Sequence, residues 1–136
     1  MLKYLITYLG MGVSFAALDA VYLTIAGSKV DRPTLDYALA EKPNLTAAVA
    51  FYLMYIAGVL VLAVLPNKDF GLGKTARTGA ILGAFAYATY DLTNQATLKI
   101  WATRITLIDI SWGTFLTGLG ASVGYLVWRW SAKRFG

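Results

Sequence analysis

The sequence predicts an all-α fold, an integral membrane four-helix bundle whose transmembrane helices run antiparallel. Composition is the first reason, because 58% of the 136 residues are hydrophobic and only 14% are charged, whereas soluble domains carry about 25% charged residues. The second reason is that four apolar stretches reach the roughly 20 residues that a helix needs to cross a bilayer. We therefore expect residues 1–136 to form a single transmembrane domain.

The absence of two residue types limits the chemistry of the chain. It contains no Cys and no His, which excludes disulfides, thiol catalysis, Ser-His-Asp catalysis and Cys/His zinc or iron–sulfur sites. Carboxylates, amides, hydroxyls, Lys and Arg remain, and they indicate no particular cofactor. The net charge is +5, but the basic residues are scattered along loop ends, so nucleic acid is not an expected partner.

The first two spans are predicted at residues 2–26 and 45–65. The first is interpreted as a retained helix rather than a signal peptide, because its apolar run is too long and no small-residue cleavage site follows cleanly. Asn44 precedes the second span as its predicted N-cap, and Pro66 closes that span. In the long link between the two spans, residues 33–40 form either a short surface helix or a plain connector.

The third and fourth spans are predicted at residues 78–98 and 105–128. A short loop with Gly71, Gly73 and Lys74 precedes the third span, and a tight turn joins it to the fourth. Short links favour antiparallel neighbours. Small residues recur on both spans, and in lipid such positions let two helix backbones approach closely. These small residues are Gly79, Gly83, Gly113, Thr117, Gly120, Ala121 and Gly124.

The distribution of Lys and Arg predicts the orientation. Four spans place both termini on one side, where seven basic residues fall, against five on the other side. Because cytoplasmic loops are enriched in Lys and Arg, we expect both termini in the cytoplasm. The seven are Lys3, Lys68, Lys74, Arg77, Arg129, Lys133 and Arg134, and the five are Lys29, Arg32, Lys42, Lys99 and Arg104.

Three acidic residues lie inside the predicted spans. Asp19, Asp91 and Asp109 would each cost about 2.5–3.5 kcal/mol at mid-helix, and such residues normally face a protein interior and mark function. At a rise of about 1.5 Å per residue, Asp19 and Asp91 lie about 10 Å before their spans end, and Asp109 lies about 6 Å after its span begins. Those ends share one side of the membrane, so we expect the three carboxylates in one layer, away from the termini.

Helical spacing places an aromatic or amide residue one turn from each of these acids. The pattern predicts a polar pocket in which Asp19, Asp91 and Asp109 are the catalytic residues. The second span adds polar residues at its entrance and Tyr52 and Tyr55 deeper in the membrane. No metal site is predicted. The predicted substrate-binding residues are Tyr22, Tyr87, Tyr90, Asn94, Lys99 and Trp112.

The residues alone leave several uses of this layer open. The acids could simply be satisfied by hydrogen bonds across helices, or they could act as acid and base on a lipid. Asp91 and Asn94 could instead hold a divalent cation with Asp19 or Asp109, although no established ligand spacing is present. The acids could also carry protons in a transporter or channel. The argument against this function is that apolar residues fill the half of the bundle nearer the termini, which leaves no continuous polar path. Finally, the acids could hold the helices together in a membrane scaffold that binds a partner enzyme.

One stretch carries a resemblance to a known family. Residues 87–94 read YATYDLTN and residues 96–99 read ATLK, while Leu18-Asp19, Pro43-Asn44 and Asp109 with Trp112-Gly113-Thr114 also match. Over essentially its whole length the chain resembles a bacterial family of small four-span predicted membrane proteins catalogued as a domain of unknown function. The resemblance implies that the motif positions are Asp19, Asp91, Asn94, Asp109 and Trp112. It also favours lipid chemistry, because members are often encoded beside enzymes that modify membrane fatty acids.

The combined expectation is a protein of the bacterial inner membrane whose buried carboxylate-lined pocket binds or modifies a membrane lipid or another amphiphile. The alternatives are a small proton-linked transporter or channel, and a scaffold for a lipid-modifying partner enzyme. Membrane lipids are the expected partners, and a homo-oligomer is a further expected arrangement. The sequence leaves open whether the chain is an enzyme and which cofactor, if any, it uses.

Overall fold

A computed structural model describes residues 1–26, 42 and 44–136, and its elements are helices. The second of them is α-helical over Leu45–Val59, continues as a π-helical turn over Leu60–Val64 and ends in a 3-10 turn over Leu65–Asn67. Residues 33–40, for which a surface helix or connector was predicted, lie outside the described residues. The four helices are α1 (Leu2–Ala26), α2 (Leu45–Asn67), α3 (Leu72–Thr97) and α4 (Thr103–Phe135).

The helix boundaries follow the sequence signals at α2 and depart from them at α3. The Asn44 side chain accepts a hydrogen bond from the Ala47 N–H at 3.1 Å, which confirms the predicted N-cap. α3 begins at Leu72, so Gly73 and Lys74 lie in its first turn and not in the predicted loop. The reason is Gly71, whose φ of +105° lets the chain turn sharply and start the helix at once.

Of the four helices in residues 1–26 and 44–136, three are long and apolar enough to cross a membrane, namely α1, α2 and α4. α3 is not among them, because Lys74, Arg77, Asp91 and two amide residues dilute its apolar content. The sequence prediction that residues 78–98 form one of four spans is therefore not confirmed by the composition of α3. Large apolar side chains cover much of the outer surface, and the exposed fractions of Val13, Met54 and Phe85 reach 71%, 72% and 72%.

The largest helix interface joins α3 to α4, and small residues make it possible. A Cβ atom built on Gly83 would lie 2.6 Å from Oγ1 of Thr117 and closer still to the Gly113 carbonyl oxygen. No side chain fits there, so the two backbones are in contact, as the spacing of small residues predicts. The chain directions are opposite, because Gly83 meets Thr117 whereas Gln95, later in α3, meets Thr106, earlier in α4.

α1 also packs along α4 in the opposite direction, and α2 joins them to form an apolar core. The side chains of Met11, Phe15, Val59, Val64 and Leu116 are fully buried in this core. The first part of α2, Leu45–Val59, has little contact with α3, whereas the π-helical turn packs against both α3 and α4. α2 therefore separates from α3 towards its own N-terminal end and leaves a cleft between the two helices.

Candidate functional site

Two of the three acids in the helices, the buried Asp19 and the half-buried Asp109, are hydrogen-bonded across the α1–α4 interface. The Trp112 indole N–H of α4 donates to Asp19 of α1 at 3.1 Å, and the Tyr22 hydroxyl of α1 donates to Asp109 of α4. The Tyr22 and Trp112 rings stack with centroids 4.6 Å apart and planes 4° apart. Each carboxylate is thus held by a neutral donor from the other helix, and the four side chains form one unit.

The third acid, Asp91 of α3, is fully buried and belongs to the same layer. The Tyr87 side chain, one helical turn before Asp91, interacts electrostatically with Asp91, Asp19 and Asp109. Its ring lies directly over Gly113 of α4, where a Cβ atom would fall within 2.6 Å of the ring Cδ2 atom and closer to two others. The three helices therefore bring their carboxyl groups together around Tyr87.

A hydrogen-bonded link fixes the ends of α3 and α4 beside this layer. The Thr106 hydroxyl donates to the Gln95 side-chain oxygen at 2.6 Å, and the Trp101 indole N–H donates to Thr106 at 2.9 Å. The Gln95 amide also donates to the Thr103 hydroxyl at 3.1 Å. These bonds satisfy buried polar groups and set the register that places Asp91 opposite the start of α4.

The layer is packed, and it differs in this from the open carboxylate-lined pocket that the sequence predicts. Asp19 is only 8% exposed and Asp91 is fully buried, because the rings of Tyr22, Tyr87 and Trp112 occupy the space around them. Within the part of the chain that the structure describes, no group of three or more acidic side chains is placed to hold a metal ion.

The cleft between α2 and α3 contains a cavity of about 310 Å³ beside this layer. Tyr87 forms part of its wall, and Tyr55 meets Tyr87 edge to face at a centroid distance of 6.5 Å. The Tyr55 hydroxyl is held by a hydrogen bond of 2.7 Å with the Thr117 hydroxyl of α4. The lining residues are Phe51, Tyr55, Ala86, Tyr87 and Tyr90.

A second cavity of about 160 Å³ continues along α2 from the first. Both are lined by Phe51 and Tyr55, so the two cavities adjoin, and we call them together the α2–α3 cleft. Its deeper part is apolar and reaches the π-helical turn at Leu62. The cleft therefore has an aromatic end beside the carboxylate layer and an aliphatic end that extends away from it.

An open groove of about 490 Å³ lies on the outer face of α1 and α4. Tyr22 and Trp112, the stacked pair that binds the two acids, form part of its wall. Apart from Ser111, the rest of the groove is apolar, and the groove is open to the surroundings. Its remaining lining residues are Leu107, Ile108, Ser111 and Phe115.

The structure brings some predicted site residues to the cleft and leaves others outside it. Tyr87 and Tyr90 line the cleft, whereas Lys99 is exposed in the link after α3, and Asn94 is half-buried away from the lining. The reason is that α3 ends at Thr97, so the chain turns away before Lys99. The sequence interpretation did not include Phe51, although its spacing of four from Tyr55 places the two rings on one helix face.

Comparison with known proteins identifies one relationship. Residues 4–126 match the family described as predicted membrane protein (DUF2177), which confirms the predicted resemblance to a family of membrane proteins. No curated protein matches the chain, and no solved structure matches it. The acids, Tyr22, Tyr87 and Trp112 all fall inside the matched residues.

Proposed function

The chain belongs to this family of membrane proteins, and we propose that it binds a membrane lipid or another amphiphile in the α2–α3 cleft. The apolar chain of the ligand lies along α2, and its polar head lies at the aromatic end. The observation that carries this proposal is the position of Tyr87, which lines the cleft and also interacts with the two buried acids, Asp19 and Asp91, and with the half-buried Asp109. An apolar cavity and a layer of acidic side chains thus meet at Tyr87. An amphiphile needs both, because its chain is apolar and its head is polar.

The proposal includes a four-span antiparallel bundle in which α3 crosses the membrane with the other helices. Support comes from the two faces of α3. Its Asp91 is fully buried against its neighbours, while Ile81, Phe85 and Leu92 are between 52% and 72% exposed on the outside. A helix of mixed composition is stable in lipid when its polar groups face the bundle interior.

We further propose that both termini lie in the cytoplasm and that the membrane is a bacterial inner membrane. α4 has 33 residues, a length of about 50 Å, which exceeds the hydrocarbon core of about 30 Å. Its last turn carries Lys133 and Arg134. Basic residues that project beyond the core favour the cytoplasmic side.

A binding site is favoured over a conducting path by the core next to the carboxylate layer. Met11, Phe15, Val64 and Leu116 are fully buried there, between the acids and the terminal end of the helices. Apolar side chains packed at this density offer no partners for a chain of water molecules. The acids thus lie between the cleft and the apolar core of the bundle.

The experiment is photolabelling of the purified protein in neutral detergent with a long-chain fatty alcohol that carries a diazirine on its chain. We expect adducts on the lining residues of the cleft, and we expect Ala86→Trp to abolish them because the indole would fill the cavity. Phe85→Trp is the matched control, since Phe85 lies next to Ala86 in sequence but is 72% exposed. Equal labelling of the two variants, on outward residues such as Val13, would contradict the proposal.

Lipid profiles of cells with and without the protein distinguish binding from modification. If the chain modifies a lipid, a species will change in amount with the wild-type protein and return to the background level with Asp19→Asn. An unchanged profile with intact photolabelling restricts the function to binding. The Asp19→Asn variant keeps an acceptor for the Trp112 N–H, so the interface should be retained.

A further inference from the structure

The aromatic end of the α2–α3 cleft has the composition of a site for a positively charged group. Of the five described residues that line it, four are aromatic and one is Ala86. Phe51 and Tyr55 lie nearly parallel at 5.3 Å and 21°, and Tyr87 is turned by 70° to Tyr55. The rings at this end of the cleft therefore differ in orientation, and a cation within about 6 Å of the face of an aromatic ring is attracted to it.

The charge behind these rings has the matching sign. Tyr87 interacts electrostatically with Asp19 and Asp109 as well as with Asp91. Asp19 and Asp109 are held by the indole of Trp112 and the hydroxyl of Tyr22, which are neutral donors. Neither donor carries a positive charge, so these two carboxyl groups attract a cation placed nearby, and such a cation in turn favours their ionised form.

Basic side chains line a different cavity. Lys68, Arg129 and Lys133 surround a space of about 280 Å³ near the end of α4, at the opposite end of the helices from Asp109. Among the residues that the structure describes, the lining of the cleft includes no Lys or Arg. None of these lining residues would therefore balance the charge of an anionic head group placed beside the acidic side chains.

From these observations we propose that the α2–α3 cleft selects amphiphiles whose head group is an ammonium ion, substituted or not, over amphiphiles with neutral or anionic heads. This inference rests on the proposed function and deepens it by naming the ligand class. The aromatic rings bind the cation directly, the carboxylate layer supplies the long-range attraction, and the aliphatic part of the cleft binds the chain.

The test is competition against the neutral photoreactive fatty alcohol in maltoside micelles. Three competitors share one alkyl chain: an alkyltrimethylammonium, its neutral isostere with a tert-butyl head, and an alkyl carboxylate. We expect the ammonium compound to compete about tenfold better than the isostere, a difference of about 1.4 kcal/mol, and the carboxylate to be the weakest. Equal competition by the ammonium compound and the isostere would overturn the inference but leave the proposed function intact.

Variants separate the ring contribution from folding. Phe51→Leu keeps an apolar wall but removes a ring, and Phe51 is already 45% exposed, so the fold should tolerate the change. We expect it to reduce the ammonium preference while the isostere competes as before. Phe85→Leu, outside the cleft, should leave the preference unchanged. If both variants behave alike, the rings do not select the head group and the inference fails.

Two sources could supply an ammonium head group, a single-chain amine or a membrane lipid. Phosphatidylethanolamine and phosphatidylglycerol with the same acyl chains form the lipid arm of the experiment, because both carry a phosphate and only the former adds an ammonium. Stronger competition by phosphatidylethanolamine would support a lipid source, and competition by the single-chain ammonium alone would support a free amphiphile. Failure of every compound to displace the probe would refute the proposed function itself, which is a distinguishable result.

Discussion

Gly113→Ala is the sharpest perturbation of the site, because it adds one methyl group at the point where α4 supports Tyr87. The new Cβ atom would lie 2.6 Å from Cδ2 of Tyr87 and closer to Cγ and Cδ1. Ordinary contact begins near 3.4 Å, so the ring must retreat by at least about 0.8 Å. The adjacent space is the cavity of about 310 Å³ in the α2–α3 cleft, and we expect the ring to move into it.

The expected cost follows from overpacking, which destabilises proteins by about 1–3 kcal/mol. A ligand in the cleft would have to drive the ring back against this strain, so its affinity should fall by about 5- to 150-fold. Stability can be measured by unfolding in dodecyl sulfate, followed by Trp fluorescence, and affinity by the photolabelling assay.

Gly73→Ala is the matched control, because Gly73 lies in α3 with nothing within 4 Å of its Cβ position. It should be neutral or slightly stabilising, since Ala favours a helix over Gly by up to about 1 kcal/mol. If Gly113→Ala unfolds and binds like Gly73→Ala, then Tyr87 does not rest on Gly113, and the wall that joins the cleft to the acids is absent.

Two further predictions test other contacts. Tyr22→Phe and Asp109→Ala should each lower the free energy of unfolding, because each removes one partner of the hydrogen bond between α1 and α4. The double variant should lose less than the sum, with a coupling of about 0.6–1.7 kcal/mol, the range for hydrogen bonds between transmembrane helices; additive losses would exclude the bond. Asn44→Ala should cost about 1 kcal/mol, because it removes the acceptor that caps α2 at the Ala47 N–H. Asn44→Asp should retain most of that stability, and equal losses would refute the capping role.

The depth of the acids was predictable because it depends on helix rise alone. Asp19 and Asp109 lie at the same level once their spans are assigned, and the structure joins them through Tyr22 and Trp112. The partners of those bonds were not predictable. Asp19 of α1 accepts from Trp112 of α4, and Tyr22 of α1 donates to Asp109 of α4. These pairs depend on how α1 and α4 are rotated about their axes.

The cleft was the feature that local patterns could not indicate. It exists because Leu45–Val59 separates from α3, while the π-helical turn at Leu60–Val64 packs against it. Apolar residues along α2 are equally satisfied by lipid and by a neighbouring helix, so hydropathy does not distinguish the two. Phe51 and Ala86 therefore gave no local signal that they would meet across one cavity.

The amino-acid sequence by itself determined the membrane class, the helices and the level at which the acids lie, since composition and helical periodicity act within each segment. Only the tertiary structure decided which side chains pair, which space stays open, and that the acids are packed among aromatic rings. The physical reason is that helix contacts in lipid depend on close packing and hydrogen bonding between segments distant in sequence. Gly83 against Gly113 and Tyr87 over Gly113 are contacts of that kind.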